Sequence, residues 1–261
     1  MSPNALICEH FRTKSIICNC FYVTPRNSGN MRTTSVIIII ILYMAPVLSF
    51  AKPPQSFNAA KKAARRIYAG HEKTIYCGCR YTYRRKNATP DFPSCGYIAR
   101  KNKHRANRIE WEHVVPAWWL GHQRQCWQHG GRKNCRRTDS VFREEEADLY
   151  NLFPSIGEIN GDRSNYRYQM IPGEVRNYGR CDFEVDFKGR RAEPRPEIRG
   201  DVARVWLYMS DRYGLRLSGS QRRLFMIWDR QDPPDKWELE RGRRISKVMG
   251  WSNPYLKDGV R

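Results

Sequence analysis

The spacing of hydrophobic residues predicts helices at the beginning and in the last third of the region after residue 52. Hydrophobic side chains share one face over Phe57 to Tyr68, and Ser56 is placed to cap that helix. The same spacing recurs from Val202 to Met209. Two further helices are predicted, over Gln221–Trp228 with a cap at Ser220 and from Pro234 to Met249.

The middle of the chain shows the period-two alternation that is typical of short strands. Residues Ile109 to His113 alternate in this way, and Pro116 is expected to end the strand before a long basic loop. A second strand is predicted from Leu149 to Phe153, stopped by Pro154. A helical turn is expected to begin over Ile156 to Asn160.

Three shorter strands are predicted around Ile75-Tyr76, Tyr81–Tyr83 and Phe183–Phe187, the last within loops that span residues 171–200. The chain has no internal repeat, low-complexity tract or convincing linker. Strands followed by a helical last third favour one compact α+β domain.

The charge of the chain points to a polyanionic partner. The 261 residues carry a formal net charge of +21 at pH 7, and 40% of them are hydrophobic, which is enough for a core. A surface this basic concentrates phosphates around it, so nucleic acid is the leading partner. An anionic membrane or a glycan is the second candidate, and a solvated basic surface without a partner is the third.

Residues 1–51 are predicted to be a leader and signal peptide, and residues 52–261 the folded domain. The apolar run Val36–Phe50 is short for a bilayer span and is followed by a small-x-small cleavage pattern that ends at Ala51. Met31-Arg32 would supply the positive start of the signal, which suggests that translation begins at Met31. The competing interpretation is an uncleaved N-terminal membrane anchor.

Six cysteines follow the expected cleavage site, and an even number in an exported protein indicates three disulfides. They are Cys77, Cys79, Cys95, Cys126, Cys135 and Cys181. Cys126 and Cys135 flank a short glycine-containing segment and are the easiest pair to join, whereas a bridge between Cys77 and Cys79 would be strained. The alternative is a zinc site made of these four residues.

Glu112 and His113, at the end of the first central strand, are candidates for chemistry. A neutral histidine can take a proton from water near pH 7, and carboxylate and amide oxygens suit a hard divalent cation such as Mg²⁺. Together with an arginine that binds phosphate oxygens, such groups suit cleavage of a phosphodiester. Neighbouring side chains on an ideal strand point to opposite faces, so the two residues can share a site only if the strand ends or bends at His113.

Four segments around these residues form a longer pattern. They are Arg108-Ile-Glu-Trp-Glu-His-Val-Val-Pro-Ala117, Gly121-His-Gln-Arg-Gln-Cys-Trp127, Gly130-Gly-Arg-Lys-Asn-Cys135 and Asp148-Leu-Tyr-Asn-Leu-Phe-Pro-Ser-Ile-Gly-Glu-Ile-Asn-Gly-Asp-Arg-Ser-Asn-Tyr166. The pattern resembles bacterial endonuclease I, a periplasmic or secreted nuclease family of the ββα-metal superfamily, over most of residues 55–255. The resemblance implies a single α+β domain with a ββα-metal (His-Me finger) core, surrounded by helices and loops and stabilised by disulfides.

The resemblance also implies a role for each matching residue. His113 matches the general base, and Arg132 matches the arginine that steadies the scissile phosphate. Glu112 and Asn160 match the ligands of one divalent metal ion, Mg²⁺, which Mn²⁺ or Ca²⁺ can replace in binding. The implied activity is an exported, largely sequence-nonspecific endonuclease that leaves 5′-phosphate ends.

The expected partners are DNA and RNA, bound through the phosphate backbone, because no base-reading module is visible. Arg108 and Arg163 are candidate phosphate contacts. The protein is expected to be a periplasmic or secreted monomer with no stable membrane association after signal cleavage. Asn151 is expected to hold a turn rather than a metal, and Trp111, Trp118 and Trp119 are expected in the core.

Two other function classes fit the same charge. The first is an exported nucleic-acid-binding protein without catalysis, against which the complete set of His113, Glu112, Asn160 and Arg132 argues. The second is a basic protein that binds a membrane surface or a glycan.

Overall fold

The computed structural model of the chain describes residues 52–85 and 87–256. The predicted leader, the signal peptide, the start at Met31 and the alternative membrane anchor lie outside these residues. In the part of the chain that is described, no helix has both the length and the apolar character needed to cross a membrane.

The first described segment begins with a helix and a small hairpin. Its elements are α1 (Phe57–Ile67), β1 (Tyr81–Arg84), β2 (Asn87–Pro90) and α2 (Lys103–Ala106). α1 starts as predicted, because the Ser56 hydroxyl accepts the amide of Ala59. β1 and β2 pair antiparallel. The strand predicted around Ile75-Tyr76 is instead a turn.

The segment after Pro116, predicted to be a long basic loop, is helical. It follows β3 (Ile109–His113) and contains α3 (Ala117–Gly121), α4 (Gln125–Gln128), α5 (Gly131–Thr138) and α6 (Ser140–Glu146). Helices of one or two turns contain too few positions for a hydrophobic period to be visible. Local contacts fix them instead, as in α6, where the Asp139 carboxylate accepts the amide of Phe142 at 2.8 Å and the Phe142 ring is fully buried.

β3 pairs antiparallel with β4 (Leu152–Ile156) along its whole length. The register runs from Ile109 opposite Ile156 to His113 opposite Leu152. α7 (Gly157–Arg163) follows β4 directly. The two predicted central strands and the helix after them are therefore present, although the second strand is shifted toward the C-terminus by three residues, because a 3-10 turn occupies Leu149–Asn151.

Pro154 does not stop the second strand, as was predicted, but lies in the middle of β4 opposite Trp111. Its carbonyl oxygen accepts the amide of Ile75 at 2.9 Å instead of bonding to β3. Since the N–H and C=O of one strand residue point to the same side, the missing N–H of proline costs the β3–β4 ladder nothing.

The region after α7 contains a three-stranded sheet of which the sequence predicted one strand. Its strands are β5 (Arg167–Tyr168), β6 (Phe183–Asp186) and β7 (Arg191–Pro194), in the order β5-β7-β6. β7 runs parallel to β5 and antiparallel to β6. Only β6 has the regular hydrophobic alternation that identifies a strand from sequence.

Three helices form the last part of the described chain. They are α8 (Arg199–Tyr213), α9 (Gly219–Gln231) and α10 (Lys236–Met249). Ser218, not the predicted Ser220, caps α9 by accepting the amide of Gln221. α10 starts after Pro234, with Asp235 as its cap. α8 and α9 pack through Trp206 and Phe225, whose ring centroids are 5.6 Å apart.

A buried arginine in α10 joins distant parts of the fold. Arg241 is 2% exposed. It donates to the Tyr68 hydroxyl beside α1 and to the carbonyls of Leu149, Tyr150 and Leu152 at the entry to β4. Four oxygens accept from this one guanidinium, so the last helix holds the start of β4 against the first helix.

Three disulfides connect the six cysteines of the described residues, as Cys77–Cys181, Cys79–Cys95 and Cys126–Cys135. The predicted Cys126–Cys135 pair is confirmed, and the alternative zinc site is wrong because all four of its cysteines are oxidised. The predicted single α+β domain with three disulfides is likewise confirmed.

Candidate active site

A cleft of about 1530 Å³ runs between α1, β3 and α7. All six residues that the sequence suggested for catalysis, metal binding or phosphate contact line it. They are Arg108, Glu112, His113, Arg132, Asn160 and Arg163. β3, α5 and α7 bring these residues together from three separate stretches of the chain.

The imidazole of His113 is held at the end of β3. It is 6% exposed, and its Nε2 lies 2.8 Å from the backbone carbonyl oxygen of Glu146. Donation to that carbonyl places the proton on Nε2 and leaves Nδ1 as an acceptor. Burial first, and then the positive charge of Arg132, lower the pKa of His113 to about 3, so the ring is neutral at pH 7.

Arg132, at the start of α5, lies beside this histidine. Its Nη2 is 3.5 Å from His113 Nδ1, and its Nε donates to the buried carboxylate of Glu146. The guanidinium also lies over the ring of Phe57, with its carbon 5.2 Å from the ring centroid. Phe57 itself packs against the His113 ring at 4.7 Å, so α1 contributes an aromatic surface that both groups contact.

Glu112 is buried at the base of the cleft. It is 2% exposed, and its Oε1 accepts from the Tyr76 hydroxyl at 2.7 Å and pairs with Arg163 at 3.0 Å. Burial raises the pKa of the Glu112 carboxyl, and the charge of Arg163 opposes that rise. The bonds just described use only Oε1, so Oε2 is free of them.

β3 ends at His113, as is required if Glu112 and His113 are to share one site. Both Glu112 and His113 line the same cleft. The opposite orientation of neighbours on an ideal strand therefore does not separate the two side chains into different sites.

Asn160 is oriented by a residue that the sequence analysis did not single out. Its Nδ2 donates to Oε2 of Glu110 at 2.9 Å, which turns its Oδ1 away from that carboxylate. Glu110 is in turn bound by Arg105 at 2.7 Å. The sequence feature that could have identified Glu110 is its position two residues before Glu112, which places both side chains on the same face of β3.

Close packing of α7 on α2 maintains this arrangement. A Cβ on Gly157 would lie 2.5 Å from the carbonyl oxygen of Arg105, and one on Gly161 would lie 2.1 Å from its guanidinium. Glycine at these two positions lets Arg105 reach Glu110 while α7 presents Asn160.

Arg163 occupies a different place from the predicted phosphate contact. It is 1% exposed, pairs with Glu112 and donates to the carbonyl oxygens of His113 and Val114. It therefore supports the end of β3 from beneath. It does not pair with Asp162, which binds Arg100 instead. Arg108 has an exposed side chain at the cleft and pairs with Glu110 at 2.8 Å.

The walls of the cleft are basic. Lys61, Lys62 and Arg65 on α1 and Arg105 and Arg108 near β3 line it, in addition to Arg132. Trp118, predicted in the core, is 37% exposed, lines the cleft and stacks on His122 at 3.6 Å. Trp111 and Trp119 do pack against the core.

Asn151 has the structural role that was predicted for it. Its side chain accepts the amide of Val115 at 2.7 Å and donates to the carbonyl oxygen of the same residue at 2.9 Å. These two bonds hold the chain where it leaves β3.

The family model described as Endonuclease I matches residues 54–259 of this chain. The chain belongs to the endonuclease I family. It is 51% identical over 208 residues to a periplasmic deoxyribonuclease of Aeromonas hydrophila, which covers 79% of this chain and 87% of the relative. It is 52% identical over 215 residues to an extracellular deoxyribonuclease of the same organism, covering 82% and 94%.

A third relative, named endonuclease-1, comes from Buchnera aphidicola subsp. Acyrthosiphon pisum. It is 46% identical over 205 residues, which cover 78% of this chain and 82% of the relative. Membership of the endonuclease I family confirms the prediction of a nuclease. The names of the relatives confirm the predicted periplasmic or secreted location.

Proposed function

We propose that the protein is an exported, metal-dependent endonuclease that hydrolyses phosphodiester bonds of DNA and RNA with little sequence preference. The observation that carries this proposal is the convergence of His113, Arg132, Glu112 and Asn160 on one basic cleft. β3, β4 and α7 would form its ββα-metal core, because they supply the base and both metal ligands.

His113 acts as the general base. Its Nε2–H is held by the Glu146 carbonyl, so the unprotonated Nδ1 can receive the proton of the attacking water. The lowered pKa keeps the ring neutral over the physiological range. The buried position fixes the ring, so the base needs no reorientation when the substrate arrives.

Arg132 binds a non-bridging oxygen of the scissile phosphate. Its Nη2 is 3.5 Å from His113 Nδ1, so the two groups can contact the same phosphate and its attacking water. The Glu146 carboxylate and the Phe57 ring hold the guanidinium in place and leave it partly exposed to the cleft.

The donor set at the base of the cleft fits a hard divalent cation. Glu112 offers Oε2, which is free of its bonds to Tyr76 and Arg163, and Asn160 offers Oδ1 because its nitrogen is used by Glu110. Bound there, one Mg²⁺ would supply positive charge beside the leaving 3′ oxygen, consistent with 5′-phosphate products. Mn²⁺ or Ca²⁺ would bind to the same oxygens.

The substrate is held through its phosphates. Lys61, Lys62, Arg65 and Arg108 line the cleft as exposed or half-buried cations, and none of them belongs to a base-reading module. Binding through the backbone applies to DNA and RNA alike, and a monomer contains the complete site.

Digestion of a supercoiled plasmid and of a structured RNA tests this function. The oxidised protein, freed of the predicted leader, is expected to degrade both substrates with Mg²⁺ and neither with EDTA. His113→Ala should reduce the rate about 10²- to 10⁴-fold, the usual contribution of a general base. His129→Ala, an exposed histidine outside the cleft, is the matched control and should retain full activity.

The same experiment separates the alternatives. A non-catalytic nucleic-acid-binding protein would shift DNA on a gel but leave it intact with Mg²⁺. A protein specific for membranes or glycans would bind vesicles or glycan in the presence of excess DNA and would be indifferent to His113→Ala. Either result would overturn the proposal.

A further inference from the structure

Three carboxylates converge at a place away from the catalytic cleft. One oxygen each of Glu174, Asp182 and Glu184 lies within 4.8 Å of the others. None of the three residues lines the cleft. Among the described residues, this is the one group of three or more acidic, histidine or cysteine side chains with such spacing.

One carboxylate oxygen of Glu184 lacks a hydrogen-bond donor in the described part of the chain. The residue lies in β6 and is 3% exposed, and its Oε2 is a buried oxygen without a hydrogen-bond partner in the described part of the chain. A buried carboxylate in this state is costly unless a positive group or a proton meets it. This observation is separate from the spacing of the three oxygens and points to a missing partner.

The strand opposite makes the position of Glu184 less favourable still. Glu184 is paired with Glu193 across β6 and β7, and like charges directly opposite destabilise a sheet. Glu193 is neutralised on its own side by Arg199 and by the amide of Ile171. The bonds from those donors go to Glu193, and they leave Oε2 of Glu184 without a partner.

Arg176 supplies part of the missing charge. It pairs with Glu174 at 2.8 Å and with Asp182 at 2.6 Å. One arginine against three carboxylates leaves two negative charges, which a single divalent cation would balance.

We infer that Glu174, Asp182 and Glu184 bind a second divalent cation, separate from the catalytic one. The ligands are all carboxylate oxygens, and Glu174 lies on an exposed segment, which suits Ca²⁺ because it accepts flexible oxygen cages better than Mg²⁺ does. The role of the ion is structural. It links the segment that carries Glu174 and Asp182 to β6, next to the Cys77–Cys181 disulfide.

A proton on Glu184 is the competing solution. Burial first, and then the neighbouring Glu174, Glu193 and Asp182, raise the pKa of Glu184 to about 7. A protonated Glu184 would need no cation, and its stabilising effect would not depend on calcium.

Equilibrium dialysis with Ca²⁺ at pH 8 distinguishes these cases. Wild type should bind one more Ca²⁺ than Glu184→Gln, while Asn160→Ala, which alters the catalytic cleft, should retain this ion. Asp182→Asn, which leaves the buried Glu184 in place, should weaken the same site at least tenfold. Glu144→Gln, an exposed acid on α6, is the matched control and should bind as wild type does.

Thermal unfolding gives a second measurement. Ca²⁺ should raise the Tm of wild type and of Asn160→Ala by several degrees over EDTA, and leave Glu184→Gln unchanged, while Glu184→Gln keeps its Mg²⁺-dependent nuclease activity. Equal Ca²⁺ stoichiometry and equal Tm shifts in wild type and Glu184→Gln would overturn the inference. Failure of the catalytic proposal would appear separately, as an inactive wild type.

Discussion

The backbone carbonyl of Glu146 lies 2.8 Å from Nε2 of His113. The carboxylate of the same residue binds Arg132 and Arg136 and is completely buried. One residue at the end of α6 thus holds the imidazole of His113 with its main chain and the guanidinium of Arg132 with its side chain. The pKa of Glu146 is lowered because the hydrogen bonds and charges of these two arginines outweigh its burial, so it stays ionised and keeps both arginines bound.

Glu146→Gln should therefore lower kcat while the histidine stays in place. Loss of the charge lets Arg132 move, and supporting residues of this kind typically contribute about 10- to 100-fold to activity. Single-turnover cleavage of a short duplex, with KM measured in parallel, gives the effect. Glu145→Gln is the matched control, because Glu145 lies next to it in α6 and binds Arg124 instead. An equal loss in the two variants would show that Glu146 acts only through stability.

Phe57→Ala should reduce activity by more than its effect on folding explains. The ring contacts His113 at 4.7 Å and lies under the guanidinium groups of Arg132 and Arg136. Its loss allows the side chains of His113 and Arg132 to shift, and displacements of about 1 Å in the proposed catalytic groups can cost about 10²-fold in rate. Phe92→Ala, at another partly buried ring, is the comparison. We expect similar urea midpoints for the two variants and a lower kcat for Phe57→Ala only.

Arg163→Met should lower the stability of the folded protein, and it should have little direct effect on DNA binding. It would leave Glu112 buried without its positive partner, and breaking a buried ion pair costs about 3–5 kcal/mol. Urea denaturation measures this loss. Arg108→Ala, at an exposed position of the same cleft, should leave the urea midpoint unchanged and reduce the salt dependence of DNA binding by about one phosphate contact. A stable Arg163→Met variant with weakened DNA binding would restore Arg163 as a direct phosphate contact.

The contribution of Asp139 to stability should depend on pH. Backbone amides of α6 and the charge of Arg124 hold the pKa of Asp139 below its ordinary value of 3.8, although burial opposes this. A carboxyl with a lowered pKa in the folded state stabilises the protein above the unfolded pKa and loses that effect as the pH falls through the folded one.

Asp139→Asn and Asp139→Ala separate charge from capping. Asparagine is itself a good N-cap, so Asp139→Asn should lose only the ion pair, about 0.2–1 kcal/mol at pH 7. That difference should shrink as the pH falls below the unfolded pKa of about 3.9, because wild type then becomes protonated. Asp139→Ala should lose about 1 kcal/mol more at both pH values, because the cap is absent. A loss in Asp139→Asn that is independent of pH would contradict this assignment. Urea unfolding at pH 3 and pH 7 provides the comparison.

The sequence predicted the part of the site that regular elements carry. The alternation over Ile109 to His113 predicted β3, because it reflects burial on a pleated surface. The hydrophobic run before Pro154 predicted a partner strand, but its first three residues form a 3-10 turn and Pro154 lies within β4. Asn160 was correctly placed on the helix that follows. The roles proposed for the site residues rest on the family resemblance, since a lone histidine after a strand has no distinctive pattern.

The parts that the sequence did not predict depend on tertiary contacts. α3 to α6 have no visible period, and the Cys126–Cys135 disulfide and the Asp139 cap fix them instead. Arg163 looks like any basic residue, and only the fold buries it beneath Glu112. Glu110 precedes the recognised pair by two residues, and its bond to Asn160 arises only when α7 packs on β3.

The contacts of Arg241 have a consequence for the folding of the protein during its synthesis. The proposed catalytic residues lie at positions 112 to 160, whereas the guanidinium that steadies the entry to β4 is contributed by α10, close to the end of the described chain. During translation, the proposed catalytic residues are therefore synthesised before the arginine that supports the entry to β4. We expect a polypeptide truncated before α10 to be a poor nuclease, because the carbonyls at the entry to β4 would then lack the Arg241 guanidinium.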